Sequence, residues 1–317
     1  MTDLLGRLAV RAATLDELLS GDFEAMTGQK DDADMAARRL AAWCRAAASG
    51  DWALFGRRLE RDGLSIVEVL TRLATVRRRP EAPAPAWLAD AEWIAAALGT
   101  EAADEERDGE EPLAYEHLFA VVVDEAAKRL QASANFTDSG NRSLRRALMA
   151  QLSELCAGAV HERFRAALKD AGDVPTEGSM HYRRFVGEMR SGGWTGLFEQ
   201  KPVLLRLIAV IVRQWIDTTR ELIERLDADL PAICRLLPPM AKGGRVARVE
   251  GELSDPHNDG RSVRILKFED GNRLVYKPKD LRLDAVWRDM VQRLNEADPP
   301  VELRPMRVLP RAGYRSR

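Results

Sequence analysis

Apolar residues recur every three or four positions along most of the first 235 residues, and every second position after Pro238-Pro239. The first pattern predicts amphipathic helices, the second half-buried strands. Residues 1–30 read as loosely helical, with Leu15, Leu18 and Leu19 on one side. Stronger helices follow at 34–48, stopped by Ser49-Gly50-Asp51, and then at 52–59 and 65–76, joined by Arg61-Asp62-Gly63. Ser65 with Glu68 three residues on fits a capping box, each side chain satisfying an orphan amide at the helix start. Residues 77–85, Arg-Arg-Arg-Pro-Glu-Ala-Pro-Ala-Pro, predict an extended basic connector, because proline cannot donate to a helical ladder.

Helix resumes at 87–98, and 101–111 is an acidic surface loop. One helix is expected at 113–131, with Leu118, Phe119, Val122, Ala126 and Leu130 in register, and a longer one at 143–168, striped by Leu144, Leu148, Leu152, Leu155 and Ala159. His117 and His161 on these helices read as surface or packed histidines. His181 to Phe185 opens another helix that Ser191-Gly192-Gly193 ends. Pro202 then begins a scaffold helix to residue 226, with Leu204, Leu207, Ile208, Ile211, Trp215, Leu222 and Leu226 on its apolar face. No fixed repeat length emerges, which disfavours a solenoid.

After residue 240 three strands are expected. The first carries Ala247, Val249, Gly251 and Leu253 on one face; the second spans 262–268 and the third 273–277. Asp270-Gly271 supplies the hairpin turn between the last two, and a helix at 281–294 follows. The fold class is therefore α+β, predominantly α: a large irregular helical body at 1–240 and a small antiparallel sheet at 241–317. A three-stranded meander with a polar turn after strand one and Lys277 on strand three matches the small lobe of kinase folds, incomplete at its C-terminal end. There a strand-borne lysine holds nucleotide phosphates. The competing explanation for Lys277 is an edge-strand lysine that deters aggregation.

Composition narrows the rest. Apolar residues make up 45% of 317 and charged ones 31%, enough for a buried core. With 48 basic and 50 acidic residues the net charge is -2, which gives no electrostatic case for nucleic acid. Cys44, Cys156 and Cys234 lie far apart inside helical patterns and read as reduced thiols, and no metal site is expected from them. The start lacks a signal peptide, and charges interrupt the most apolar helix, so no membrane span and a cytoplasmic location are expected.

The candidate chemistry lies between the first two strands. Asp255 and His257 flank Pro256; in an extended chain both point to one side, and the carboxylate then orients the imidazole for proton transfer near neutral pH. The other explanation is an Asx-type turn with an exposed histidine. Gly260 supplies backbone flexibility and Arg261 attraction for phosphate.

The run Ser254-Asp255-Pro256-His257-Asn258-Asp259-Gly260-Arg261-Ser262-Val263, followed by Leu274-Val275-Tyr276-Lys277-Pro278-Lys279, resembles the dehydratase domain of class II lanthipeptide synthetases. So do Gly63-Leu64-Ser65 after Arg57-Arg58-Leu59, residues 185–197, and Pro202-Val203-Leu204 with Trp215 and Arg225-Leu226-Asp227. The resemblance implies a kinase-like enzyme that uses ATP and Mg2+ to phosphorylate serine and threonine of a leader-bearing precursor peptide, then eliminates phosphate to leave dehydroamino acids. It implies that Lys277 is the nucleotide-phosphate lysine, and that Asp255 and His257 are the pair linked to elimination. The large kinase lobe, with its catalytic and magnesium-binding residues, and the zinc cyclase that the resemblance implies have no counterpart in this sequence. A chain lacking that lobe is expected to be inactive alone, without productive binding of ATP or Mg2+, and functional only with a separate chain that supplies it. The alternative is a non-catalytic peptide- or protein-binding helical module.

Overall fold

The computed structural model describes residues 2–26, 32–73, 76–101, 111–171, 178–236, 244–251 and 255–311. Helices dominate, with a two-stranded and a three-stranded antiparallel sheet, so the architecture is α+β and predominantly α. Among the described residues no helix is long and apolar enough to cross a membrane. The chain divides into two compact units, Met1–Glu92 with Phe198–Arg206, and Trp93–Leu197 with Leu207–Arg317.

The first unit holds α1 (Thr2–Arg11), α2 (Leu15–Leu19), α3 (Asp32–Ala48), α4 (Trp52–Arg61) and α5 (Ile66–Leu73). Leu40 and Cys44 of α3, Phe55 and Leu59 of α4 and Val69 of α5 form its apolar cluster. The expected stop after α3 is real: Ser49 and Gly50 have φ of 53° and 85°, and the Asp51 carboxylate then accepts from the Leu54 amide to cap α4. Ser65 and Glu68 form the capping box, with Glu68 accepting from the Ser65 amide at 2.9 Å and Ser65 Oγ accepting from the Glu68 amide at 3.2 Å. The connector at 77–85 is a correction in part. Its start, β2 (Val76–Arg78), pairs antiparallel with β1 (Phe23–Ala25), and Arg77 Nε meets Glu24 Oε1 at 2.6 Å. Strands of three residues are too short to leave a periodic signal.

In the second unit the helix expected at 113–131 is broken. A tight turn at Glu116–Leu118 precedes α7 (Ala120–Ala127), which follows α6 (Trp87–Leu98) in chain order. Tyr115 enters the turn in the left-handed region (φ 58°), and the Glu116 carboxylate accepts from the Leu113 amide and from Arg146. Those bonds hold the first turn out of α geometry. The next helix, α8 (Asp138–Ala171), is longer than its apolar stripe suggested. Leu144, Leu148, Leu152, Cys156 and Val160 are buried, so the stripe steps by four throughout and Leu155 and Ala159 lie beside it.

Ser191-Gly192-Gly193 kinks the chain rather than ending it: α9 (Gly178–Glu188) runs through one wide turn, with Gly192 at φ 127°, into α10 (Trp194–Gln200). The scaffold helix α11 (Pro202–Leu236) buries Leu204, Ile208, Trp215, Leu222 and Leu226 as expected, but Leu207 is exposed. Leu205, Val212 and Ile216 are buried as well.

The three-stranded sheet has the order β3 (Val246–Glu250), β4 (Arg264–Phe268), β5 (Arg273–Tyr276). A bulge between Val246 and Arg248 shifts the inward set from the expected Ala247 and Val249 to Val246 and Val249. Residues 252–254 of the expected first strand lie outside the described residues. The β4–β5 hairpin uses Gly271 at φ 84°, with its amide donating to the Phe268 carbonyl and the Phe268 amide donating to the Asn272 carbonyl. That is a three-residue connection closed by a left-handed glycine, not the two-residue turn. The sheet is tied to the segment leading into α8 by the backbone of Val246, which donates to Asn135 and accepts from Thr137, and to α8 itself by the Val249 amide, which donates to Ser143 Oγ. After Pro278 the chain turns into α12 (Arg282–Glu296).

Candidate phosphate-binding site

The site is built where the ends of three elements meet the face of α11. Residues His257 and Arg261 exchange backbone hydrogen bonds of 2.8 Å each way, closing a turn whose three inner residues, Asn258, Asp259 and Gly260, have φ of 45°, 64° and 87°. Asparagine and aspartate tolerate this region better than most side chains, and glycine pays no Cβ penalty there. Gly260 is required twice over. A Cβ on it would lie 2.9 Å from Gln214 Cβ on α11, closer than real carbon atoms approach.

Arg261 fastens the turn. Its Nε donates to Glu221 Oε2 at 3.0 Å, its Nη2 is ion-paired with the same oxygen at 2.9 Å, and its Nη1 donates to the Asn258 carbonyl at 2.7 Å. Three of its five N–H groups are thereby committed. The carboxylate beside it pushes the guanidinium above its ordinary value, so the charge is permanent. Glu221 is also ion-paired with Arg225 one turn on, and Arg225 Nη1 donates to Tyr276 Oη at 2.7 Å. Arg264 donates to Thr218 Oγ1 at 3.1 Å, and its burial pulls it below the ordinary value. Burial raises the Tyr276 phenol, the Arg225 charge notwithstanding. One carboxylate of α11 thus sits among three guanidinium groups, and Asp259 of the turn adds a second negative charge beside Arg261.

Lys277 follows β5 directly, and its neighbour Tyr276 pairs with Arg264, three residues past the turn. The turn, joined to the start of β4 by residues 262–263, and the lysine, directly after β5, therefore share one end of the sheet. Arg273 and Val275 are exposed and Leu274 and Tyr276 half-buried, the alternation expected of this strand. Lys277 itself is half-buried: its Nζ donates to Asp284 Oδ1 at 3.2 Å, while Lys279 Nζ lies 3.6 Å from Oδ2. Burial of Asp284 raises its carboxyl, but the hydrogen bond from Lys277 and the two lysine charges outweigh it, and the net shift is downward. A carboxylate in the first turn of α12 thus fixes the lysine, which lies one residue past the strand expected to contain it.

Asp255 and His257 lie differently. Both are exposed, and among the described residues no hydrogen bond joins them. His257 is fixed through its backbone, by the turn, and Asp255 precedes it outside any strand.

Residues 202–315 match a family model described as Domain of unknown function (DUF4135). No curated protein matches the chain. The matched span takes in α11, the three-stranded sheet, the turn, Lys277 and α12, so every residue that builds the site lies inside it.

Sequence reasoning missed Gln214, Glu221 and Asp284, and took Arg225 only as part of a stretch that carries the resemblance. Glu221 and Arg225 are an acid and a base four apart on a helix otherwise read for its apolar stripe, which is the one signal that pointed to them. Asp284 was detectable only as an acid in the first turn of the helix following the lysine strand.

Proposed function

We propose that the three-stranded sheet with α12 is the phosphate-binding lobe of a kinase-like peptide dehydratase, acting on serine and threonine of a precursor peptide. The observation that supports this reading is the Lys277–Asp284 pair: a lysine immediately after the third antiparallel strand, held at 3.2 Å by an acid in the helix that follows. Kinase lobes hold the phosphates of ATP with that combination. The donor set fits a nucleotide phosphate, since Lys277 is a point charge already aimed by Asp284. ATP brings the phosphoryl group, which turns hydroxide, a poor leaving group, into phosphate. Among the described residues no group of three or more His, Cys, Asp or Glu comes together as a metal site, so no residue here is assigned to Mg2+.

Each residue then has a role. Lys277 neutralises phosphate charge, and Asp284 keeps the ammonium in place. Arg261, Glu221 and Gly260 hold the turn against α11. Asp255 and His257, exposed beside that turn, act in elimination: one takes the α-proton of the phosphorylated residue, the C–O bond breaks and a C=C bond forms. The exposure of both is compatible with a bulky peptide substrate.

Equilibrium dialysis with radiolabelled ATP tests the reading. Lys277→Ala is expected to weaken binding at least tenfold and Asp284→Asn several-fold, and a Lys277→Ala protein that keeps the wild-type affinity overturns it. A second reading, a module that binds a peptide or protein without chemistry, draws on the exposed face of α12, where Leu283, Val286, Trp287 and Leu294 are 79, 62, 55 and 46% exposed. Partner binding that survives both Lys277→Ala and His257→Ala favours it.

A further inference from the structure

Lys277 does not stand alone at the end of the sheet. The Lys279 amide donates to the Lys277 carbonyl at 2.8 Å, closing a three-residue turn around Pro278. A bond from the third residue back to the first is the mark of a γ-turn, whose inverse form needs φ near about −75° at the central residue. The pyrrolidine ring holds proline close to that value. Lys-Pro-Lys is therefore a local code for a turn that fixes two lysines on either side of one stiff residue.

Both side chains converge on Asp284. Lys277 Nζ meets Oδ1 at 3.2 Å and Lys279 Nζ meets Oδ2 at 3.6 Å, so one carboxylate serves two ammonium groups and cancels one of their charges. The neighbouring acid does not cancel the other. Asp280 is engaged by Arg282, whose amide and Nε donate to its two oxygens at 2.9 and 2.7 Å. The surplus charge sits on the solvent side: the Lys277 side chain is 33% exposed and that of Lys279 58%. The Lys279 contact is also the longer one, and an exposed ion pair of that kind contributes little. Lys279 can therefore turn from Asp284 to a ligand while Lys277 keeps its hydrogen bond. Each ammonium is a compact charge with three donors, a match for one phosphoryl group. Two of them across a tight turn match two phosphoryl groups in a row.

We propose that Lys277-Pro278-Lys279 is a diphosphate clamp, in which Lys277 and Lys279 bind successive phosphoryl groups of one nucleotide and so select di- and triphosphates over monophosphates. The assignment of Lys279 rests on the reading of Lys277 as a nucleotide-phosphate ligand. Displacement of radiolabelled ATP by ADP and by AMP tests the two separately. From the unaltered protein ADP is expected to displace ATP about tenfold more tightly than AMP, the effect of one further charged hydrogen bond. Lys279→Ala should weaken ADP by about that factor and leave AMP within about twofold, with an unchanged urea midpoint, as expected of an exposed side chain. Equal affinity for ADP and AMP in the unaltered protein overturns the clamp. So does a Lys279→Ala protein that keeps its ADP affinity, or one in which ADP and AMP weaken alike; in these cases the reading of Lys277 still stands. Lys277→Ala with unaltered ATP affinity instead removes that reading, and the clamp with it.

Discussion

Replacing Gly260 by alanine isolates the contact that seats the candidate site on α11. Two costs combine. At φ 87° an L-residue loses about 1–2 kcal/mol relative to glycine. The new Cβ would also lie 2.9 Å from Gln214 Cβ and 3.2 Å from Gln214 Oε1. The first of these atoms is near the backbone and cannot swing away, so the turn or the helix must shift, at roughly the 1–3 kcal/mol of an overpacked core. Gly271 provides the internal control. It lies in the same sheet at φ 84° with nothing within 4 Å of its added Cβ, so Gly271→Ala incurs the conformational cost alone. Urea unfolding followed by tryptophan fluorescence should therefore place Gly260→Ala about 1–3 kcal/mol below Gly271→Ala. With a slope of about 1–3 kcal/mol per molar, the two midpoints separate by about 1 M. Equal midpoints at equal slopes would refute the claim that the turn is pressed against Gln214.

Three other outcomes follow from the same geometry. The Asp284 carboxyl is held below its ordinary value, so the native state binds fewer protons there than the unfolded chain. Its contribution is present above the unfolded value near pH 4 and is lost as pH falls through the lower folded value; Asp284→Asn should remove that part of the acid limb, and an unchanged limb in urea midpoints against pH contradicts the pairing with Lys277. Cys156 is buried and its thiol is pushed up to about 12, so iodoacetamide at pH 8 should label the half-buried Cys234 well before Cys156, as read by peptide mass spectrometry. Replacing Glu221 by alanine leaves Arg261 and Arg225 without their shared carboxylate, and a loss of about 1–3 kcal/mol in urea unfolding is expected, whereas a neutral effect would argue against the strut.

Much of this architecture was legible because long elements repeat their pattern often enough to be read. The long helices α8 and α11, the meander and the Ser65–Glu68 cap all follow from periodicity or from a local side-chain code. What was not legible depended on contacts distant in sequence. The pairing of β1 with β2 joins segments some fifty residues apart over three residues each, too few to alternate visibly. The broken helix at 113–131 turns on a left-handed tyrosine and a carboxylate that folds back on the chain, neither of which alters the apolar spacing. The site divided along the same line. Lys277, Gly260 and Arg261 stand out as residue types at turn and strand positions. Their supports, Gln214, Glu221 and Asp284, are ordinary helical residues until the helix is placed against them. The expected pairing of Asp255 with His257 assumed an extended chain, and the turn at 257–261 takes His257 into a different local geometry.

The central claim is that Lys277 faces nucleotide phosphate. An acyl-phosphate derivative of ATP transfers its acyl group to a lysine lying beside the bound phosphates, and this can be read out residue by residue after tryptic digestion. Lys277 should be the lysine acylated, with labelling suppressed by excess ATP, not by adenosine, and reduced by Asp284→Asn. Acylation spread over surface lysines, or labelling of Lys277 that excess ATP leaves untouched, would contradict it.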